Sequence, residues 1–218
     1  MDAPVVLFDL DGTLVDSLPG IEFSVDSCLA ECGAPRRARA LRPLIGPPIR
    51  AILQELMPGA DGQQLSLLEQ AFRQSYDSGG WRKTVLHEGA LETLNKLRTA
   101  GVDLFLVTNK PQLPTRQILN MFGLADLFTD MVCRDTKTPP FQSKAEMLQH
   151  VVLAHGLDPG ACVYVGDSLE DFHAATQAGV PVALVAHGYG SLPSGLVGGT
   201  ILHQLNDLLS MVGILEGV

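Results

Sequence analysis

Short, nearly all-apolar runs recur along the chain at 5–10 (VVLFDL), 102–108 (VDLFLVT), 130–134 (DMVCR), 162–167 (CVYVGD) and 180–186 (VPVALVA). They lack the alternation of a sheet with one wet face, so each predicts a strand covered on both sides, as in a parallel sheet. Helical spacing follows at 88–100, 112–122, 143–155 and 169–178. Strands alternating with helices in this way predict an α/β fold with right-handed crossovers, a doubly wound parallel-sheet (Rossmann-like) core. HQLNDLLSMVGI, 203–214, predicts a closing amphipathic helix.

The first run breaks this rhythm. The next convincing strand begins at Val102, too far away for a single crossover helix. Between them lie helical patterns at about 18–33, 48–57 and 62–78, separated by breakers such as Gly33, Pro35, Pro47, Pro48, Pro58 and Gly59. Residues 15–82 therefore read as a small α-helical cap domain inserted into a core formed by 1–14 and 83–218.

Composition narrows the class. At 218 residues, 46% of them hydrophobic, the chain can bury a substantial core. A net charge of −9 argues against nucleic acid or an anionic membrane surface as partner. No apolar run approaches the ~20 residues of a membrane span. MDAPVVLF carries no basic stretch ahead of its apolar run. Cys28, Cys32, Cys133 and Cys162 fit neither zinc-site spacing nor a disulfide framework, which favours a reducing, cytoplasmic setting. Cys28 and Cys32, four apart on a helix, read as neighbouring apolar thiols.

The polar residues matter most where strands end. In an open parallel sheet, ligands bind beyond the carboxyl ends of the strands. Asp9 and Asp11, Thr108 and Asn109, and Asp167 with Asp171 all fall there, and Lys144 opens the helix before the 162–167 strand. Asp9 and Asp11 are two apart, so persisting strand geometry puts them on one side. Carboxylates so close repel unless a cation intervenes. With Asp167 and Asp171 added, oxygen-only ligands point to a hard cation, Mg²⁺ first. D-x-D-G also opens calcium-binding loops, but Leu14 and Gly20 stand where such a loop needs glycine and glutamate. Taken singly, these residues also suit turns, helix caps and solvated surface.

FDLDGT, LVTNK, SKAEML and VYVGDSLED, in this order, resemble the four successive motifs of the haloacid dehalogenase-like hydrolase superfamily. The likeness covers essentially the whole chain, and LVTNK with GVPVALVAHGYG is similar to the phosphoglycolate phosphatase-like branch. The resemblance implies a Mg²⁺-dependent phosphatase that forms an aspartyl-phosphate. It makes Asp9 the nucleophile and Asp11 the acid–base. Asp9, the Asp11 carbonyl, Asp167 and, directly or through water, Asp171 would hold the metal. Thr108, Asn109 and the backbone around Leu10 would hold the transferring phosphoryl group, with Lys144 neutralising charge. Many relatives carry the third-motif lysine as K-P-x-P, whereas this chain has TKTPPFQSKAEML, so Lys137 competes with the favoured Lys144.

The cap is expected to select the substrate. Gly46-Pro47-Pro48 forms a rigid loop flanked by Arg42 and Arg50, and Arg42 is a candidate to meet an anionic leaving part. Solvated arginines on an ordinary turn are an equal alternative. Arg36-Arg37-Ala38-Arg39 reads as exposed surface, His187-Gly188-Tyr189-Gly190 as a possible border of the site, and Trp81 as packing near the hinge. His87 and His173 are poor catalytic candidates. The expected partner is a small phosphorylated metabolite, acted on by a monomer or homodimer. Phosphotransferase, mutase, pyrophosphatase and non-catalytic phosphate-binding readings stay open.

Overall fold

The computed structural model describes residues 5–37, 39–192 and 198–214. The chain opens with β1 (Val5–Phe8), β2 (Val15–Asp16) and helices α1 (Leu18–Glu31), α2 (Ile49–Leu56) and α3 (Gly62–Ser78). It returns through β3 (Val85–Leu86), α4 (Ala90–Thr99), β4 (Asp103–Thr108), α5 (Gln112–Met121) and β5 (Asp130–Cys133). It ends with α6 (Lys144–Ala154), β6 (Cys162–Gly166), α7 (Leu169–Ala178), β7 (Val182–Val185), β8 (Gly199–Leu202) and α8 (Asp207–Met211).

Six strands pair in the order β5-β4-β1-β6-β7-β8, all parallel. Alternation along β1 explains the layering. Val6 and Phe8 join one buried cluster with Leu94 of α4, Ile118 of α5 and Leu208 of α8. Val5 and Leu7 join the other, with Met147 and Leu148 of α6 and Ala175 of α7. A strand covered on both faces must be apolar at every position, which is why β1 reads as an unbroken run. Connections from β1 and β4 leave on one face and that of β6 on the other. The strand ends at this reversal open the crevice where ligands bind in such sheets.

Between β2 and β3, which pair as a short antiparallel ribbon, helices α1 and α2 each pack on α3. Asp61 caps α3 by accepting from the Gln63 and Gln64 amides, and Gln64 reaches back to the Asp61 amide. The apolar cluster on the Val6 side continues into this segment through Leu14, Ile21, Phe72 and Trp81.

Differences from the sequence expectations lie at short elements. The 203–214 helix contracts to α8, five residues, because 203–206 turn under the Asp207 carboxylate, which accepts from the His203 and Gln204 amides. β8 carries a glycine and exposed Thr200 and Ile201, so no apolar run marked it. β1 stops at Phe8, two residues early. All four cysteines are free, and Cys32 is exposed beyond the end of α1 while Cys28 is buried. In the basic tract, Arg37 pairs with Glu22 and Asp26, and Arg39 with Glu55; Ala38 lies outside the described residues. Among the described residues no helix is long and apolar enough to cross a membrane.

Candidate active site

The carboxyl ends of β1, β4 and β6 meet the start of α6 around Asp9. Strand pairing persists one residue past β1, since the Asp9 amide donates to Val165. The chain then turns. The Leu10 carbonyl accepts from the amides of Thr13, Leu14 and Val15, and Gly12 takes φ +82°. This turn, rather than continued strand geometry, sends Asp9 and Asp11 to different partners. A side chain at Gly12 would need strained backbone and would strike the Asp167 carboxylate, 2.3 Å from the position of a Cβ. Gly188 approaches the same aspartate from the other side, its Cβ position 2.2 Å from that of Asp167.

Lys144 is buried beside Asp9, 2% exposed. Its Nζ donates to Asp9 Oδ2 at 2.9 Å and Asp171 Oδ1 at 2.6 Å. Lys137 instead lies at the surface, paired with Glu146 and set over the Phe141 ring. Asp171 is fully committed. Tyr164 also donates to its Oδ1, while Oδ2 accepts from the Asp167 amide, the Ser168 amide and Ser168 Oγ. Burial works against its charge, but Lys144 and these donors hold its pKa below the usual carboxylate value.

Asp9 and Asp167 fare differently. Burial, partly offset by Lys144 and reinforced by the Asp171 charge, pushes Asp9 up to about 7. Burial and the charges of Asp171 and Asp9 push Asp167 up to about 8. Such a site favours a cation, which would restore both carboxylates. Oxygens of Asp9, Asp167 and Asp171 lie within 4.8 Å of one another. Asp9 Oδ1 is buried with no hydrogen-bond partner. An all-oxygen donor set with one orphaned carboxylate oxygen fits a hard divalent ion. The five hydrogen bonds on Asp171 make Asp9 and Asp167 the better-placed ligands.

Thr108 and Asn109 are both buried at the end of β4. The Asn109 amide group donates to the Gly46 carbonyl at 3.1 Å and Glu170 Oε1 at 2.8 Å. A cavity of about 670 Å³ opens above Asp11 and Asn109, walled by Ile49, Phe72 and Tyr76 from the helical segment and Pro114 from α5.

Arg42 departs from expectation. It does not line this cavity. Its Nη2 donates to the carbonyls of His187 and Gly188 at 3.1 and 2.8 Å, and its guanidinium stands 5.4 Å from the Tyr189 ring centroid. The two backbone carbonyls take both hydrogens of Nη2 and hold the guanidinium against the 187–189 loop. Arg50 does reach the cavity, but is paired with Glu69. The 187–190 loop borders the site as expected, through the Tyr189 amide, which donates to Asp167 Oδ2 at 2.6 Å. Tyr189 Oη also donates to Asp16 and accepts from the Ser17 and Leu18 amides. His87 packs against the His187 ring at a tilt, and burial drives its pKa down to about 4. His173 is exposed.

Sequence reasoning gave no role to Lys110, Tyr164 or Glu170. Lys110 stood in plain view beside Asn109; its ion pair with Asp11, 99 residues away, has no local signal.

A haloacid dehalogenase-like hydrolase family model matches residues 6–185. The chain belongs to the haloacid dehalogenase-like hydrolases. It is 34% identical over 195 residues to a phosphoglycolate phosphatase of Cereibacter sphaeroides (strain ATCC 17029), covering 87% of this chain and 88% of that one. A predicted phosphoglycolate phosphatase of Haemophilus somnus 129pt superposes with TM-score 0.86 at 26% identity, over 97% and 98% of the two chains. Protein tyrosine kinase A of Mycobacterium tuberculosis superposes with TM-score 0.81 at 30% identity, over 98% and 100%.

Proposed function

We propose that this hydrolase is a Mg²⁺-dependent phosphomonoesterase of the phosphoglycolate phosphatase type, acting on a small phosphorylated metabolite through an aspartyl-phosphate. The observation that carries the reading is the state of Asp9: one oxygen is held by a buried lysine and the other is buried without a partner. Asp9 attacks phosphorus as the ester P–O bond breaks, and the leaving oxygen takes the Asp11 proton. Water then attacks the same phosphorus and gives its proton to Asp11, releasing phosphate and restoring Asp9. Thr108, Asn109, the backbone around Leu10 and Lys144 hold the phosphoryl oxygens. Asp9, the Asp11 carbonyl, Asp167 and, directly or through water, Asp171 are the residues that would hold Mg²⁺. Bound there, the ion supplies charge neutralisation for the phosphoryl group. Residues 15–82 act as the cap that covers the site during turnover.

The test is a panel containing phosphoglycolate, sugar phosphates, nucleotides and pyrophosphate, with Mg²⁺. Phosphate release from at least one member is expected, and release from none overturns the enzyme reading. Asp9→Asn abolishes turnover with an unchanged circular dichroism spectrum; retained activity sinks the nucleophile assignment.

Phosphotransfer is the second reading, favoured by the likeness to a protein tyrosine kinase. Ester consumed without an equal yield of inorganic phosphate would support it.

A further inference from the structure

The turn after β4 touches the helical segment with two neighbouring side chains. Asn109 holds the Gly46 carbonyl, as described. Lys110, 7% exposed, places Nζ 3.0 Å from each Asp11 oxygen and 4.8 Å from the centroid of the Tyr76 ring on α3. One ammonium thus stands between an aromatic face of the inserted helices and the carboxyl group assigned to acid–base work.

A buried ammonium is tolerated only when paired, and Asp11 supplies the pair. Pairing alone does not fix geometry, because a lysine stem carries high rotamer entropy. The ring of Tyr76 supplies the second anchor, a cation–π contact that strengthens when water is excluded. With its stem enclosed and its head held from both sides, Lys110 contacts both Asp11 oxygens and so sets the plane of the carboxyl group. On the acid side of the cycle one oxygen faces Lys110 and the other presents the proton to the ester oxygen. On the base side both oxygens face Lys110, as in this structure.

We infer that Lys110 is a positioning residue for Asp11, and that Tyr76 makes this positioning depend on α3 lying over the site. The inference rests on the reading of Asp11 as the acid–base group. Separation of α3 from the core would free the ammonium and leave Asp11 unaimed, so proton transfer is coupled to closure.

The experiment compares a poor leaving group with a good one under single-turnover conditions, which isolate ester cleavage. Phosphoglycolate needs its leaving alkoxide protonated, whereas p-nitrophenyl phosphate does not. Lys110→Met is expected to slow cleavage of the alkyl ester about 10²-fold and of the aryl ester by less than about threefold, the pattern of lost general-acid assistance. Asp11→Asn should give the same pattern, and the Asp11→Asn/Lys110→Met double variant should be no slower than Asp11→Asn alone. Tyr76→Leu should give a smaller loss with the same preference, and Lys110→Arg, which keeps a cation, should recover part of the Lys110→Met loss. Equal losses on the two esters, or additive losses in the double variant, overturn the proposal. They mark Lys110 as a structural charge partner. The double variant removes both charges, so it remains informative if Lys110→Met alone folds poorly. Wild-type protein inert toward every ester overturns the phosphatase reading and this inference together.

Discussion

Asp9 and Asp167 carry raised pKa values, about 7 and about 8, for the same leading reason, the removal of a carboxylate from water. A raised carboxyl pKa in the folded state favours the protonated group, so its contribution is fully present below the unfolded value. It is lost as pH climbs through the folded value. Metal-free protein should therefore lose thermal stability between about pH 4, where the unfolded carboxyls ionise, and about pH 8, the window those two shifts define. Mg²⁺ should reverse the trend, since a cation beside both carboxylates makes their ionised form the favourable one. The stabilisation by Mg²⁺ over EDTA is thus expected to grow with pH across this window. Differential scanning fluorimetry at a series of pH values measures it. A Mg²⁺ stabilisation that is flat in pH, or largest at pH 5, contradicts the assignment of these two groups as the ion's ligands.

Elements owe their boundaries to local chemistry, and most are written in the sequence for that reason. Helix α3 runs over 62–78 as its apolar spacing predicts, because Asp61 and Gln64 close a reciprocal cap at its start. Asp61→Ala removes the acceptor of two amides and should cost ~1 kcal/mol in urea unfolding. No measurable change would mean the helix is held by packing alone. α7 is likewise legible in GDSLED, where Ser168 and Asp171 form a second reciprocal cap. Asp171 is also the acceptor of Lys144, so a residue read as a metal ligand doubles as the start of a helix. The short elements β2, β3, β8 and α8 were not legible, or only in part. Two to five residues carry too little periodicity to distinguish strand, helix and turn, and tertiary partners alone hold them in place.

Across the whole molecule, a single tyrosine links the buried Asp167 carboxylate to the entry of the inserted helices. The amide of Tyr189 donates to Asp167, and its hydroxyl ties together Asp16, Ser17 and Leu18. Tyr189→Phe leaves the amides of Ser17 and Leu18 without this acceptor. The Leu18 amide still donates to Asp16 Oδ1. One newly unsatisfied buried donor costs about 1–3 kcal/mol, read as a lower midpoint in urea unfolding. A midpoint equal to wild type would show that the stretch from Asp16 to Leu18 does not depend on this contact.

The sequence by itself determined the alternation of strands and helices, the inserted helical segment and the strand ends at which polar residues gather. Burial acts on periods of two and 3.6 residues, so these features leave a local trace. It also marked Asp9, Asp11, Lys144, Asp167 and Asp171, because strand ends and helix starts are where a parallel sheet exposes chemistry. Only the tertiary structure decided which charges meet. It set Lys144 rather than Lys137 against Asp9, turned Arg42 onto two backbone carbonyls, and joined Lys110 to both Asp11 and Tyr76. Those partners are separated by tens to more than a hundred residues. Their pairing follows from strand order and from the path of the returning chain, neither of which any short stretch of sequence records.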